Sequence, residues 1–402
     1  MKLNKSIIIA FMLTAAAVSA QKKQPVKKIF SEVEKQTRTM LEEIPKAKGN
    51  KADLVSPRTL DSAANLKLVN SRDWTSGFFP GELWFLYDHS KNNDWKKQAQ
   101  DFTVNIEKEK TNATTHDMGF KIYCSIGNGY RLTKDLHYKD VIIESAKTLS
   151  TRFNSKIGCI RSWDQRKEIW DFPVIIDNMM NLELLFAATK LSGDSSFYKI
   201  AITHANTTMK NHYRPDYSSY HVVDYDTSTG QVRKKQTAQG YADESAWARG
   251  QSWGLYGFTM CYRFTHDKKY LQQAEHIASF ILNHPNLPKD LVPYWDYNAP
   301  NIPNEPRDAS AAAIMASALY ELSLYSKNGK KYRETADKIV QNLTNYYRSP
   351  IGENKGFILL HSTGSKPANS EVDVPLIYAD YYYLEALLRM KKLDEGKNFF
   401  EK

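Results

Sequence analysis

"NLELLFAATKLSGDSSFYKIAITHANTTMKNHY", Asn181 to Tyr213, decides the fold. Its first part is apolar on most helical faces. After the polar turn Ser192-Gly193-Asp194, the part from Tyr198 carries one apolar stripe with polar residues opposite it. A helix that is apolar all round has to be buried, and a helix with a single stripe lies outside it, so the segment reads as an inner helix turning back into an outer one.

The theme repeats along the chain. Apolar, small-residue-rich members are "GELWFLYDHS", "GFKIYCSIGNGYRLT", "GQSWGLYGFTMCYRFTHD" and "AAAIMASALYELSLYS", and the amphipathic helices that follow open with Trp95, Tyr138, Tyr198, Tyr270 and Tyr332. With "IFSEVEKQTRTMLEEI" as an early outer helix and "LIYADYYYLEALLRM" as a last inner one, six hairpins result if the ends pair. Short turns at one end leave the long connections at the other. Those connections, about residues 151–176, 215–246 and 283–308, are dense in aromatic, Gly, Pro and polar residues, as functional loops are. The expected architecture is all-α, an (α/α)6 barrel with its site at the mouth where the inner helices begin. An open α-solenoid, whose ends would not meet, is the alternative.

The ends and the composition narrow the function. Lys2 and Lys5 precede an apolar run from Ile7 to Val18, and the small residues Val18-Ser19-Ala20 come before Gln21, the pattern of a cleaved secretory leader over residues 1–20. Residues 21–402 then read as one domain, exported to the periplasm. No later apolar run is long enough to cross a bilayer, so no membrane partner is expected. Three cysteines, Cys124, Cys159 and Cys261, are too few for a disulfide framework and read as buried apolar residues. The net charge of +10 attracts polyanions, yet the lysines are scattered and form no nucleic-acid motif, so an acidic glycan is the expected partner and nucleic acid is not. The 24 Tyr, 17 Phe and 8 Trp suit flat sugar rings. HExxH, CxxC, GxSxG and phosphate-loop patterns are missing, so no metal or cofactor is expected. A monomer is expected.

Carboxylates at the mouth are the candidate chemistry. Asp117 in "TTHDMGFKIY" and Asp177 in "FPVIIDNMMNLELLF" stand before neighbouring inner helices. Asp is also a favoured helix cap, and Asp243, Asp308 and Asp373 stand similarly, so spacing alone does not choose among them. A helix N-terminus favours the charged carboxylate, which suits a base. A proton donor there needs a second carboxylate nearby or burial against aromatic walls, for which Trp74, Trp163, Trp170 and Trp253 are available. His116 and His221 are single histidines, which more often make structural hydrogen bonds than bind ligands.

"WTSGFFPGELW" (Trp74 to Trp84), "HDMGF" (His116 to Phe120), "IIDNMMNLELL" (Ile175 to Leu185), "QGYADESAWARGQSWGLYGF" (Gln239 to Phe258) and "PRDASAAAIMASAL" (Pro306 to Leu319) resemble, in order and across nearly the whole mature chain, glycoside hydrolase family 88. Those are the unsaturated glucuronyl hydrolases, and the basic chain is most similar to the members that act on heparin fragments. The resemblance implies an (α/α)6 barrel acting on the unsaturated oligosaccharides left by polysaccharide lyases. It implies Asp177 as the general acid/base, which protonates C4 of the C4=C5 enol ether and assists water addition at C5. Asp117 would be the second essential carboxylate, holding sugar hydroxyls and keeping the Asp177 pKa raised. Trp74, His116, Trp163, His221, Gln239, Arg249 and Trp253 match pocket positions, with Arg249 and Gln239 suited to the uronate's polar groups. Trp247 and Gln251 read as packing. In "HSTGSKPANSE", Ser362, Ser365 and Lys366 resemble, with altered spacing, a Ser/Lys group that accepts sulfated sugars, and they also read as a simple turn. An unsaturated rhamnogalacturonyl hydrolase, a toroidal polysaccharide lyase and a non-catalytic glycan-binding protein are the other readings.

Overall fold

The computed structural model describes residues 24–397 and 399–400; the expected leader lies outside the described residues. In chain order the helices are α1 (Val26–Lys48), α2 (Phe78–Ser90), α3 (Asn93–Thr103), a π-helical stretch Gly119–Gly127 running into α4 (Asn128–Thr133), α5 (Leu136–Ser150), α6 (Asn178–Ser192), α7 (Ser195–Asn211), α8 (Ala248–Thr265), α9 (Lys268–Asn283), α10 (Ala309–Leu322), α11 (Gly329–Asn342) and α12 (Ile377–Asp394). Short strands decorate the connections: β1 (Ser56–Leu60) with β2 (Leu66–Val69), β3 (Phe153–Asn154) with β4 (Cys159–Ile160), β5 (Phe172–Ile175) with β6 (Val222–Tyr225) and β7 (Val232–Gln236), and β8 (Ser362–Ser365) with β9 (Ser370–Val374), all antiparallel.

The inner ring consists of α2, the π-helix with α4, α6, α8, α10 and α12. Each contacts the next, and α12 returns to α2, so the ring is closed and is an (α/α)6 barrel rather than an open solenoid. Burial follows the sequence pattern. Every residue of α10 is buried, its Ala and Ser side chains letting α8 and α12 approach, whereas α1 buries only Ile29, Phe30, Val33, Gln36, Thr37, Met40 and Ile44 along one stripe.

Four of the hairpin turns share one construction, which the turn from α10 to α11 lacks. Lys91, Lys134, Gly193 and His266 end inner helices in the left-handed conformation, and the next residue, Asn92, Asp135, Asp194 or Asp267, caps the outer helix by accepting from a backbone N–H two residues on. Trp95 and Tyr270 then bury themselves against the inner ring as the sequence requires, while Tyr138 and Tyr198 pack against it half-buried.

Closure at the chain ends depends on a buried amide. Gln36 of α1 donates to the carbonyls of Glu353 and Phe357, 2.8 Å each, and accepts from the Gly352 N–H at 2.8 Å, so the first outer helix is stitched to the segment leading into the last inner one. The Asp380 carboxylate of α12 accepts from the N–H groups of Ile358 and Leu359 in the same segment. All three cysteines are buried and free. No helix among the described residues is long and apolar enough to cross a membrane.

Sequence periodicity located the inner and outer helices but not the strands, nor two further long connections, residues 49–77 and 343–376, which carry β1–β2 and β8–β9. Where the π-helix meets α6, a Cβ on Gly119 would lie 2.7 Å from Asn181 Cα and 2.8 Å from its Oδ1. Gly119→Ala is therefore expected to destabilise the protein by about 1–3 kcal/mol through overpacking of two helices that cannot both stay in place. Urea unfolding would show this as a lower midpoint at constant slope; an unchanged midpoint would mean the helices are not in this contact.

Candidate active site

The inner helices run parallel, and their N-terminal ends gather Asp117, Asp177, Arg249, Asp308 and Tyr378 at one mouth. Asp177 occupies the residue before α6, but with φ −55° and ψ −27° it is already helical, and its side chain makes no capping hydrogen bond. Asp308, before α10, behaves oppositely. Its Oδ1 accepts from the N–H groups of Ser310 and Ala311, and its Oδ2 accepts from Arg249 Nη1 at 2.9 Å. Of two acids that look alike in sequence, one is consumed by structure and the other is held free.

Asp177 is buried, with its Oδ2 lacking a hydrogen-bond partner. Its pKa is pushed up to about 7, chiefly by burial; Arg249 and its own backbone N–H oppose the shift, and the Asp117 charge adds to it. The sequence reading gave that lifting role to Asp117, and the structure gives it first to desolvation. Trp253 Nε1 lies near enough to the carboxyl to pull its pKa down yet makes no hydrogen bond, so the indole N–H also lacks a partner.

A neutral histidine attends each acid. His221 Nδ1 accepts from the N–H groups of Ala238 and Gln239, 3.1 Å each, so its proton belongs on Nε2, which points at Asp177 Oδ2 from 3.7 Å. Burial takes its pKa down to about 3, so the ring stays neutral. Asn181 Oδ1 accepts from the Phe120 N–H at 3.1 Å, which turns its amide N–H toward His116 Nδ1 at 3.5 Å. The His116 proton is thereby placed on Nε2, 3.3 Å from Asp117 Oδ1, and burial holds this ring neutral too. The other Asp117 oxygen accepts from the Thr115 hydroxyl at 2.8 Å. Asp117 therefore does not cap its helix through its side chain, contrary to the sequence reading.

The remaining candidates separate into surfaces and supports. Trp74 and Trp163 are half-buried and keep part of a ring open, Trp74 against Phe78, Phe120 and Tyr378, and Trp163 against Trp170 and His221. Trp253 is 0% exposed, wedged between Phe120 and Tyr382, so it backs the acid and cannot stack on a sugar. Arg249 is buried, with Nη1 donating to Asp308 and the Thr363 carbonyl and Nη2 to the Gly364 carbonyl, so both Nη groups are engaged in holding Asp308 and β8. Gln239 Nε2 donates to the same Gly364 carbonyl at 3.1 Å. Ser362 is 0% exposed and cannot meet a solvent-borne sulfate, whereas Ser365 and Lys366 are half-buried at the hairpin turn. Trp247 packs between His221 and Arg249, and Gln251 fastens Ser219, both as packing. Sequence reasoning missed Thr115 and Asn181, and for Asn181 the signal available was its place one helical turn after Asp177. Among the described residues no His/Cys/Asp/Glu group is arranged to hold a metal.

A buried acid poised near neutrality, set in the mouth of an (α/α)6 barrel between open indole faces, defines a glycosidase of the acid/base type. Comparison with known proteins agrees: the model of Glycosyl Hydrolase Family 88 matches residues 51–397, and the chain belongs to that family. It is similar to an unsaturated glucuronyl hydrolase of Formosa agariphila, 54% identical over 340 residues, 84% of this chain and 85% of that one. An unsaturated chondroitin disaccharide hydrolase of Streptococcus pneumoniae is 33% identical over 350 residues, 85% of this chain and 87% of that one. Among solved structures, an unsaturated glucuronyl hydrolase specific for heparin superimposes with a TM-score of 0.85 at 48% identity, covering 91% of this chain and 98% of the other.

The raised pKa has a consequence for stability. An acid that binds its proton more tightly folded than unfolded makes folding less favourable as pH climbs from 3.8 to about 7, and the whole cost is present above that. Asp177→Asn is therefore expected to be more stable than the parent at pH 8, by at most about 4 kcal/mol at 1.36 kcal/mol per pKa unit, with the difference gone below pH ~4. Thermal denaturation at the two pH values checks this; equal melting temperatures at pH 8 would contradict the buried, partner-poor acid.

Proposed function

We propose that the protein removes the non-reducing-end Δ4,5-unsaturated uronate from lyase-generated glycosaminoglycan oligosaccharides, heparin or heparan fragments first, with chondroitin or hyaluronan fragments as further substrates. The observation that carries the reading is Asp177, buried and with its pKa pushed up to about 7, so that it holds a proton to donate near neutral pH. Similarity to the heparin-specific structure and to the F. agariphila enzyme supports the substrate class. The leader pattern supports action in the periplasm.

Asp177 gives its proton to C4 of the enol ether, and the positive charge collects at C5, stabilised by the ring oxygen. The resulting carboxylate then takes a proton from the water that adds at C5. The hemiketal so formed opens, its ring oxygen leaving C5 as the ketone forms, and the hemiacetal left at C1 expels the next sugar. His221 stays neutral and offers its Nε2 proton to the Asp177 carboxylate once that is formed, steadying the base without taking the proton. Asp117, oriented by Thr115 and His116, holds sugar hydroxyls. Trp74 and Trp163 supply the open ring faces.

Asp177→Asn is expected to fold and to lose about a hundred- to ten-thousandfold in kcat, the usual weight of general acid-base catalysis. Loss of the double-bond absorbance on lyase-made disaccharides from heparin, chondroitin, hyaluronan and pectin measures it. Preference for the pectin product would point to a rhamnogalacturonyl hydrolase, and a gain of absorbance on intact polysaccharide to a lyase. Because the donor must be protonated, kcat/KM is expected to fall as pH rises through about 7. Lys366→Ala is expected to weaken use of sulfated disaccharides more than unsulfated ones; equal loss on both would remove Lys366 from sulfate recognition.

A further inference from the structure

Arg58 lies on β1, far in sequence from every residue of the acid site, yet it joins two walls of the mouth. Its Nη1 donates to Asp73 Oδ2 at 2.6 Å, and its Nε and Nη2 donate to the two carboxylate oxygens of Glu371 at 2.5 and 2.9 Å. Asp73 uses its remaining oxygen on the N–H and hydroxyl of Thr75, 2.9 and 2.7 Å, so the residue between them, Trp74, is held on a closed loop whose position follows Arg58.

At the other end of the clamp, Glu371 lies on β9 and folds across Gly364 of β8, where a Cβ would meet the Glu371 Cβ and Oε2 at 2.8 Å. Gly364 is the residue whose carbonyl is gripped by Arg249 and Gln239. The hairpin is thus pinned from the core through its backbone and from the side through Glu371. It needs pinning: Asn369, Glu371 and Asp373 all have positive φ, 47°, 57° and 56°, conformations that side chains other than Gly adopt at a cost and that persist where surroundings enforce them. Two side-chain contacts do so. His361–Asp373, at 2.7 Å, is exposed, while the Arg58–Glu371 pair is largely buried and bidentate, the geometry in which Arg is not replaceable by Lys.

We infer that Arg58 is a positioning residue that sets the gap between Trp74 and the Ser365–Lys366 turn, and through that gap the fit of the sugar beyond the scissile bond. The inference rests on the proposed function, since it assumes that an oligosaccharide occupies the mouth. Asp177 and its histidine are anchored by α6, β6 and the segment after β7, none of which Arg58 touches directly; the hairpin reaches them only through the Gly364 carbonyl held by Gln239 and Arg249, so the chemical step is expected to change little.

The test uses the full protein and its Arg58→Ala, Arg58→Lys and Glu371→Gln variants, assayed on sulfated and unsulfated unsaturated heparin disaccharides and on a methyl glycoside of the unsaturated uronate, which lacks the second sugar. Arg58→Ala is expected to raise KM for the disaccharides about fivefold or more with kcat held within about twofold, the pattern of lost uniform binding, while the methyl glycoside is unaffected. Glu371→Gln should reproduce the effect, Arg58→Lys should fall between, and the Arg58→Ala/Glu371→Gln double variant should be no worse than the worse single one. Should Arg58→Ala not fold, the Lys and Gln variants carry the same comparison. Equal KM changes on methyl glycoside and disaccharide, or a fall in kcat at constant KM, would overturn the positioning role while leaving the proposed function intact. A parent enzyme that turns over none of the three substrates overturns the functional reading and the inference together.

Discussion

A carboxylic acid has to be buried here and yet left short of partners. Burial against apolar and aromatic groups is what lifts Asp177 toward neutrality, and any strong donor placed on it would undo the lift. The surrounding molecule meets that requirement by spending its donors elsewhere. Arg249 gives its Nη donors to Asp308 and two main-chain carbonyls; the Trp253 N–H makes no hydrogen bond; and His221 is kept neutral by burial, with two backbone N–H groups on its far nitrogen. The barrel makes this possible because six inner helices end at one mouth and their loops can bring carbonyls and N–H groups to each side chain from several directions. An isolated hairpin has no such choice.

The same logic links the two acids without joining them. Asn181, one turn into α6, satisfies an N–H of the neighbouring π-helix and in doing so decides which nitrogen of His116 carries the proton. The backbone of one inner helix therefore sets the hydrogen-bond polarity around Asp117, which belongs to the loop leading into that same helix. The close approach at Gly119 is what brings that amide within reach.

The ring was legible because burial on most faces and burial on one face leave different traces in a sequence: α10 and α1 could be told apart from their residues alone. The hairpin turns were legible too, through an aromatic residue soon after each cap. The distinction between Asp177 and Asp308 was not, since both precede an inner helix and only three-dimensional placement shows that one accepts from its own helix and the other does not. The structural half of Arg249 was not legible either, because the partners of its Nη groups are carbonyls of a strand more than a hundred residues away, invisible to local pattern. Ser362 was ambiguous for a related reason: β8 is buried over Ser362, Thr363 and Gly364 and opens only at Ser365, and nothing in "HSTGSK" marks where burial ends.

The grip of Arg249 and Gln239 on β8 has one more consequence. Both hold main-chain oxygens of Thr363 and Gly364, and a carbonyl is the same whichever side chain the residue bears. The anchoring of the hairpin is therefore largely indifferent to the side chains at its tip, Ser365 to Ala368, which can change without loosening the attachment. This hairpin is an adjustable turn bolted to a fixed strand: substitutions at the turn leave in place the two main-chain carbonyls through which Arg249 and Gln239, and behind them the acid on α6 and its histidine, meet it.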